Sequence, residues 1–271
     1  MIVVRQPAVA GSFYPGHSGA LSATVTRLLD QARAHPPSDP GPPPKALIVP
    51  HAGYIYSGST AALGYAALDP VRDKITRVLL LGPAHHVGVR GLALAGADSF
   101  ATPLGEVEID HRTEARLSML SQVVTSQQAH AWEHSLEVQL PFLQQVLADF
   151  SLVPLVVGSA SPAEVAEVLD AAWDGPETLI LISSDLSHYL PYARAQATDR
   201  DTVTRILALE SPLADGSACG ARGVNGLLVA ARTHGLRPRL LGMCNSGDTA
   251  GDRNRVVGYA AIAFSEAPDD Q

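Results

Sequence analysis

The chain has 271 residues, 46% of them hydrophobic and 17% charged, a balance that builds a buried core and excludes disorder over most of the length. Nineteen Lys and Arg against 27 Asp and Glu leave a net charge of −8, and aromatic residues make up only 5%. Such a surface repels phosphate backbones and offers little for base stacking, so the expectation is no nucleic-acid partner. No apolar run approaches the roughly 18–20 residues of a membrane-spanning helix. The opening Met1-Ile2-Val3-Val4-Arg5 lacks the charged and then apolar regions of a signal peptide, so a cytoplasmic protein is expected. Two cysteines, Cys219 and Cys244, do not make a disulfide framework.

Along the chain, a first helix is predicted over Ser18 to Ala34, followed by a proline-rich surface loop at residues 35–44. Ala46 to Val49 and Val78 to Leu81 are short continuous apolar runs, separated by a helical stretch at Ser57 to Leu68. Further apolar runs follow at Leu152 to Val157, Leu179 to Ile182 and Val256 to Phe264. Between them lie helical stretches at Thr113 to Leu120, Ser135 to Asp149, Pro162 to Trp173, Arg194 to Leu209 and Val224 to His234. Pro141 should kink or restart the second of these helices. Runs apolar on both faces suit strands covered by helices on each side, and strand–helix alternation argues for an α/β layered domain. Gly105 to Asp110 alternates polar and apolar residues and belongs on an edge ribbon, and the acidic tail at 266–271 should fray.

In an open α/β sheet, chemistry collects just beyond the carboxyl ends of strands. Here one run ends in Pro50-His51-Ala52-Gly53-Tyr54, another in Gly82-Pro83-Ala84-His85-His86, and a third in Ser183-Ser184-Asp185-Leu186-Ser187-His188. Four of the ten histidines occupy such positions, which scattered histidines would rarely do. Adjacent side chains on extended backbone point opposite ways, so only one of His85 and His86 readily faces a common centre. The spacing of three between Asp185 and His188 puts both on one face of a helical turn, where Asp185 either orients the imidazole or caps a helix. Cys219, in a small-residue turn before the helix at Val224, is either a dipole-stabilised thiolate or a buried inert thiol; Cys244 reads as an apolar strand position. Glu133 and Glu137, one turn apart around His134, read as a solvated face or as a polar wall over a pocket. The glycine-rich Asn245 to Asp252 lacks a phosphate-loop signature and reads as a structured turn. Two histidines and one cysteine from separate strand ends make a three-ligand set with an open position, and such donors suit iron, copper or zinc rather than magnesium.

Taken in order, Pro7 to Pro15, Pro50 to Tyr54, Gly82 to His86, Glu133 to Glu137, Ser183 to His188, Cys219-Gly220 and Gly247 to Asp252 resemble the Memo family, whose prokaryotic members are called AmmeMemoRadiSam system protein B. The resemblance implies one domain over residues 1–271: an α/β three-layer sandwich with a central, mostly parallel sheet, similar to the class III extradiol dioxygenases. It implies that His51, His85 and Cys219 hold a metal, Fe(II) first and copper or zinc otherwise. Asp185 and His188 would be catalytic, with His188 as the acid/base and Asp185 setting its tautomer. Tyr54, His86, Glu133, His134 and Glu137 would line the pocket or support the ligands. A cysteine where the dioxygenases carry a glutamate donates more charge and is oxidisable, so ring cleavage does not carry over. The expected function is redox or O2-dependent chemistry on a small organic or peptide substrate. The alternatives are a non-catalytic adaptor for a radical-SAM partner and, below it, a hydrolase built from Cys219, His188 and Asp185.

Overall fold

The computed structural model describes residues 2–37, 41–214 and 216–266. In chain order the first elements are β1 (Val4–Arg5), α1 (Ser18–Ala34), β2 (Ala46–Val49), α2 (Tyr54–Ala66), β3 (Arg77–Pro83), β4 (Leu92–Leu94), β5 (Ser99–Thr102) and β6 (Gly105–Glu108). There follow α3 (His111–Leu117), β7 (Val123–Thr125), α4 (Gln127–Ala131), α5 (His134–Glu137), α6 (Leu140–Val146), β8 (Ser151–Val157) and α7 (Pro162–Ala171). The last are β9 (Thr178–Ser183), β10 (His188–Leu190), α8 (Tyr192–Leu207), α9 (Ala221–Thr233), β11 (Arg237–Asn245) and β12 (Val256–Ser265).

The fold is α/β, built on a nine-stranded mixed sheet in the order β10-β12-β2-β9-β3-β8-β4-β7, with β11 paired to β12. Its centre, β2-β9-β3-β8, is wholly parallel and is made of four of the five apolar runs, the fifth being β12. The flanks are antiparallel at β12 and at β4. Parallel neighbours need a helical crossover, whereas β11 and β12 are joined by ten residues and so return antiparallel. The edge ribbon expected near Gly105 is β6, in a separate three-stranded sheet with β1 and β5.

Alternate residues of each central strand serve opposite faces. Leu47 and Val49 join a core with α1, α2 and α6, while Ala46 and Ile48 join a second core with α7 and α9. The helix expected over Ser135 to Asp149 is two helices, and Pro141 sits in the first turn of α6, where its missing N–H costs no hydrogen bond. Three residues of the proline-rich loop (38–40) and the tail after Glu266 lie outside the described residues. Among the described residues, no helix is long and apolar enough to cross a membrane.

Helices α7 and α9 cross closely at Gly226, where an added Cβ would stand 2.2 Å from Val165 Cγ1 and 2.3 Å from its Cβ. Both contacts are with a stiff β-branched side chain, so the helices themselves must separate. Gly226→Ala is therefore expected to lower stability by about 1–3 kcal/mol, the usual range for overpacking, measured as the urea midpoint at unchanged slope.

Candidate metal centre

Strands β2, β9 and β3 lie side by side with Val49 opposite Ser183 and Leu81 opposite Ile182, so their carboxyl ends share one edge of the sheet. His51 follows β2 by two residues, Asp185 follows β9 by two, and His85 follows β3 by two. Short α5 packs against the end of β3, with Ser135 Oγ donating to the Pro83 carbonyl at 3.1 Å, and brings in Glu133 and His134.

The hydrogen bonds fix the imidazole of His51. Ser183 Oγ donates its single proton to the Ser135 carbonyl at 2.6 Å and accepts from Gln139 Nε2 at 2.7 Å. Its remaining lone pair faces His51 Nδ1 at 2.9 Å, so Nδ1 carries the ring proton and Nε2 is left as a lone-pair donor. Burial, with His134 and His85 nearby, holds His51 well below the ordinary imidazole range, so the ring is neutral.

His85 is fixed in the same way by a carboxylate. Glu133 takes its backbone N–H at 2.6 Å and its Nδ1 at 2.8 Å, and caps α5 by accepting from Ser135 N at 2.9 Å. Burial alone would raise the Glu133 carboxyl, but these donors outweigh it and hold it down to about 2. An ionised carboxylate accepts only, so His85 also carries its proton on Nδ1 and presents Nε2. The His134 ring stacks on His85 with centroids 4.7 Å apart, and burial pushes its pKa down to about 4. Ligand atoms of His51, His85 and His134 all lie within 4.8 Å of one another.

Cys219 sits on the other side of His51, its Sγ 3.3 Å from Nε2 and accepting the Asp185 N–H at 3.3 Å. The neighbouring α9 cap residue is glycine because an added Cβ would stand 2.7 Å from Ser184 Cβ and 2.8 Å from the Ser183 carbonyl. Despite the helix terminus, burial and the nearby Asp185 push the thiol up to about 12, so it is protonated and donates toward the His51 lone pair. The cavity on this side, about 340 Å³, is lined by Cys219, Arg222 and the ends of β3 and β9.

The opposite cavity, about 710 Å³, is lined by His51, His85, His134, Asp185 and His188 together with Phe13, Tyr56, Tyr189 and Tyr259. Asp185 is 4% exposed, and burial raises its carboxyl to about 7 against the opposing His51 and Ala52 N–H groups. His188 opens β10 rather than closing a helical turn, and its Nδ1 bonds the Leu186 carbonyl at 2.8 Å. The expected pairing with Asp185 is thus replaced: a backbone carbonyl sets the His188 tautomer, and Asp185 holds the His51 N–H at 2.8 Å instead. Burial lowers the His188 pKa, and among the described residues its hydrogen bond is made through Nδ1 and none through Nε2.

Other expected site residues serve the scaffold. Tyr54 is buried and donates to the Val138 carbonyl at 2.7 Å. Glu137, read as a solvated or pocket-wall residue, is wholly buried and binds the N-terminal segment. His86 is exposed, 6.1 Å from His134 ring to ring. His134, expected only to support the ligands, is part of the imidazole cluster. Sequence reading missed Ser183 and Gln139 as orienting groups, and Phe13, Tyr56, Tyr189, Tyr259 and Arg255 as cavity walls. The motif Pro7 to Pro15, which contains Phe13, was the available signal for the first wall.

Comparison with known proteins agrees with this frame. A family model described as Memo-like protein matches residues 5–263. A MEMO1 family protein of Methanosarcina acetivorans is 36% identical over 274 residues, covering 96% of this chain and 98% of that protein. One from Aquifex aeolicus is 35% identical over 277 residues, covering 96% and 99%. The crystal structure of an uncharacterized protein from Escherichia coli K12 superposes with a TM-score of 0.53 at 14% identity, covering 80% of this chain and 98% of that one, which is a likeness of fold. With the match running from β1 to β12 and full-length relatives above a third identical, the chain belongs to the Memo-like family.

Proposed function

We propose that this protein binds one Fe(II), with copper or zinc as the alternatives, at the sheet edge formed by His51 and His85, and catalyses redox or O2-dependent chemistry on a small organic or peptide substrate. The observation that carries the reading is the pair of tied-back imidazoles: each Nδ1 is held by a buried acceptor, and each Nε2 is left as a lone pair beside a third donor. Such outer partners fix metal-ligating histidines. The third donor is Cys219 by family resemblance, or His134 by its place in the cluster. Nitrogen and sulfur donors fit a borderline or soft divalent ion. When bound, such an ion supplies Lewis acidity, redox capacity if it is iron or copper, and open positions for substrate.

The chain's own groups supply the rest. His188 Nε2, neutral and unpartnered by its own backbone bond, takes a proton from a substrate hydroxyl or amide in the cavity. Asp185, near 7, exchanges a proton at the same wall, and the four aromatic rings exclude water from the reacting end of the substrate. The cysteine hydrolase reading built on Cys219, His188 and Asp185 is not supported by the contacts, because Cys219 Sγ meets His51 Nε2 and not His188.

Anaerobically purified protein is expected to carry about one ion per chain, and His51→Ala next to none. Equal, near-zero metal in both overturns the reading. Substrate-dependent O2 uptake distinguishes turnover from a binding role alone.

A further inference from the structure

We propose that Arg255 and Tyr189 form a carboxylate-binding subsite at the mouth of the large cavity, selecting substrates that carry an anionic group on a planar body. The proposal rests on the reading of this cavity as the substrate site and adds the class of substrate.

Tyr189 has φ +59, a left-handed conformation that is uncommon for a bulky residue, yet its side chain is 61% exposed. Neither burial nor turn chemistry accounts for a tyrosine there, since glycine or asparagine would take that backbone more readily. What the position provides is the ring. The Arg255 guanidinium lies over it, 5.0 Å from the centroid, and both residues line the cavity. Backbone outliers of this kind collect at ligand clamps.

A neighbouring pair on the same two segments shows the contrast. Arg253 lies 4.5 Å over the Tyr192 ring, but its Nε is committed to the Gly247 carbonyl at 3.4 Å, and Tyr192 OH donates to Asp248. That pair is satisfied within the protein. Among the described residues no ion pair joins a carboxylate to Arg255, and the nearby acid on the cavity wall, Asp252, accepts the Asn254 N–H at 2.7 Å. Arg255 therefore presents an unspent, oriented fork of N–H donors on a protein of net charge −8. A guanidinium laid on a ring recognises a carboxylate by two parallel hydrogen bonds, and the remaining walls, Phe13, Tyr56 and Tyr259, offer flat apolar faces to the body that bears it.

The test uses the full chain treated with chelator, so that a carboxylate cannot register by binding metal. Benzoate and its neutral isostere benzamide are titrated and followed by calorimetry. Benzoate is expected to bind about tenfold or more tightly than benzamide, the difference a charge-assisted bond supplies. Arg255→Gln should erase the preference and Arg255→Lys should restore part of it. Tyr189→Gly should weaken benzoate while leaving the urea midpoint unchanged or higher, since it relieves the backbone. N-acetylphenylalanine, run alongside, separates the two sources of such a group: tighter binding than benzoate indicates a peptide terminus, weaker binding a free aromatic acid, and both support the subsite. Equal affinity for benzoate and benzamide, no binding of either, or an unchanged preference in Arg255→Gln overturns it. These results stand apart from the metal content of His51→Ala, so either proposal can fail alone.

Discussion

Glu137→Ala is expected to cost about 3–5 kcal/mol of stability, a large part of the roughly 5–15 kcal/mol that a folded protein has in total. The carboxylate is fully buried and accepts four donors: Arg5, the Ala8 N–H at 2.7 Å, the Val9 N–H at 3.0 Å and Tyr14 OH at 2.5 Å. Removing it strands a buried guanidinium, two backbone N–H groups and a phenol. The loss of one partner from such a set is the damaging change, because the others keep their desolvation cost. Arg5 retains bonds to the Glu133 and His130 carbonyls, at 2.5 Å and 3.1 Å, so β1 stays docked at one end. Glu137→Gln preserves the shape and half of the acceptors and should fall between the variant and the parent. A urea midpoint shift worth less than about 1 kcal/mol in Glu137→Ala would show the network to be dispensable.

The consequence reaches the cavity. The segment anchored by Glu137 carries Phe13, whose carbonyl accepts the Tyr54 N–H at 2.8 Å and whose ring lies 4.7 Å from His134. A loosened segment therefore opens the wall beside the imidazole cluster. Amide exchange at residues 8–14 should accelerate in Glu137→Ala before the central strands respond, since local opening follows local contacts.

The central strands were legible because each run is apolar on both faces, and two of them end in Pro or Gly before a histidine, at Val49-Pro50-His51 and Gly82-Pro83-Ala84-His85. Strand β11 was not, because Arg237, Pro238 and Arg239 break the apolar pattern on the side away from β2. The short β4, β7 and β10 have three residues each, too few for a period to show. In the site, strand ends pointed to His51 and His85 directly. The error at Asp185 and His188 came from applying helical spacing to a segment that runs extended into β10. Glu133 and Glu137 looked alike in sequence, and only the three-dimensional neighbours separate them: one orients His85, the other ties down the N-terminal segment. Tyr189 and Arg255 stand 66 positions apart, and no local pattern links them.

The proton released on metal binding separates the two candidates for the third ligand. Burial holds the Cys219 thiol up to about 12, so it is protonated throughout the neutral and mildly alkaline range. Ligation as thiolate must expel that proton, and the apparent affinity then rises about tenfold per pH unit and falls as acid is added. His51, well below the ordinary range, and His134, at about 4, are already neutral and release nothing. Zinc affinity measured by chelator competition between about pH 7.5 and 9.5 should accordingly climb more steeply in the parent than in Cys219→Ser, by about one decade per pH unit or about 100-fold over the window. Any proton lost from bound water is common to both proteins and cancels in the comparison. His134→Ala should keep the steep slope, and a thiolate-to-metal charge-transfer band on cobalt loading should persist in it and vanish in Cys219→Ser. Equal slopes in the parent and Cys219→Ser, with the band absent from both, would instead make His134 the third ligand and leave Cys219 as a thiol hydrogen-bonded behind His51.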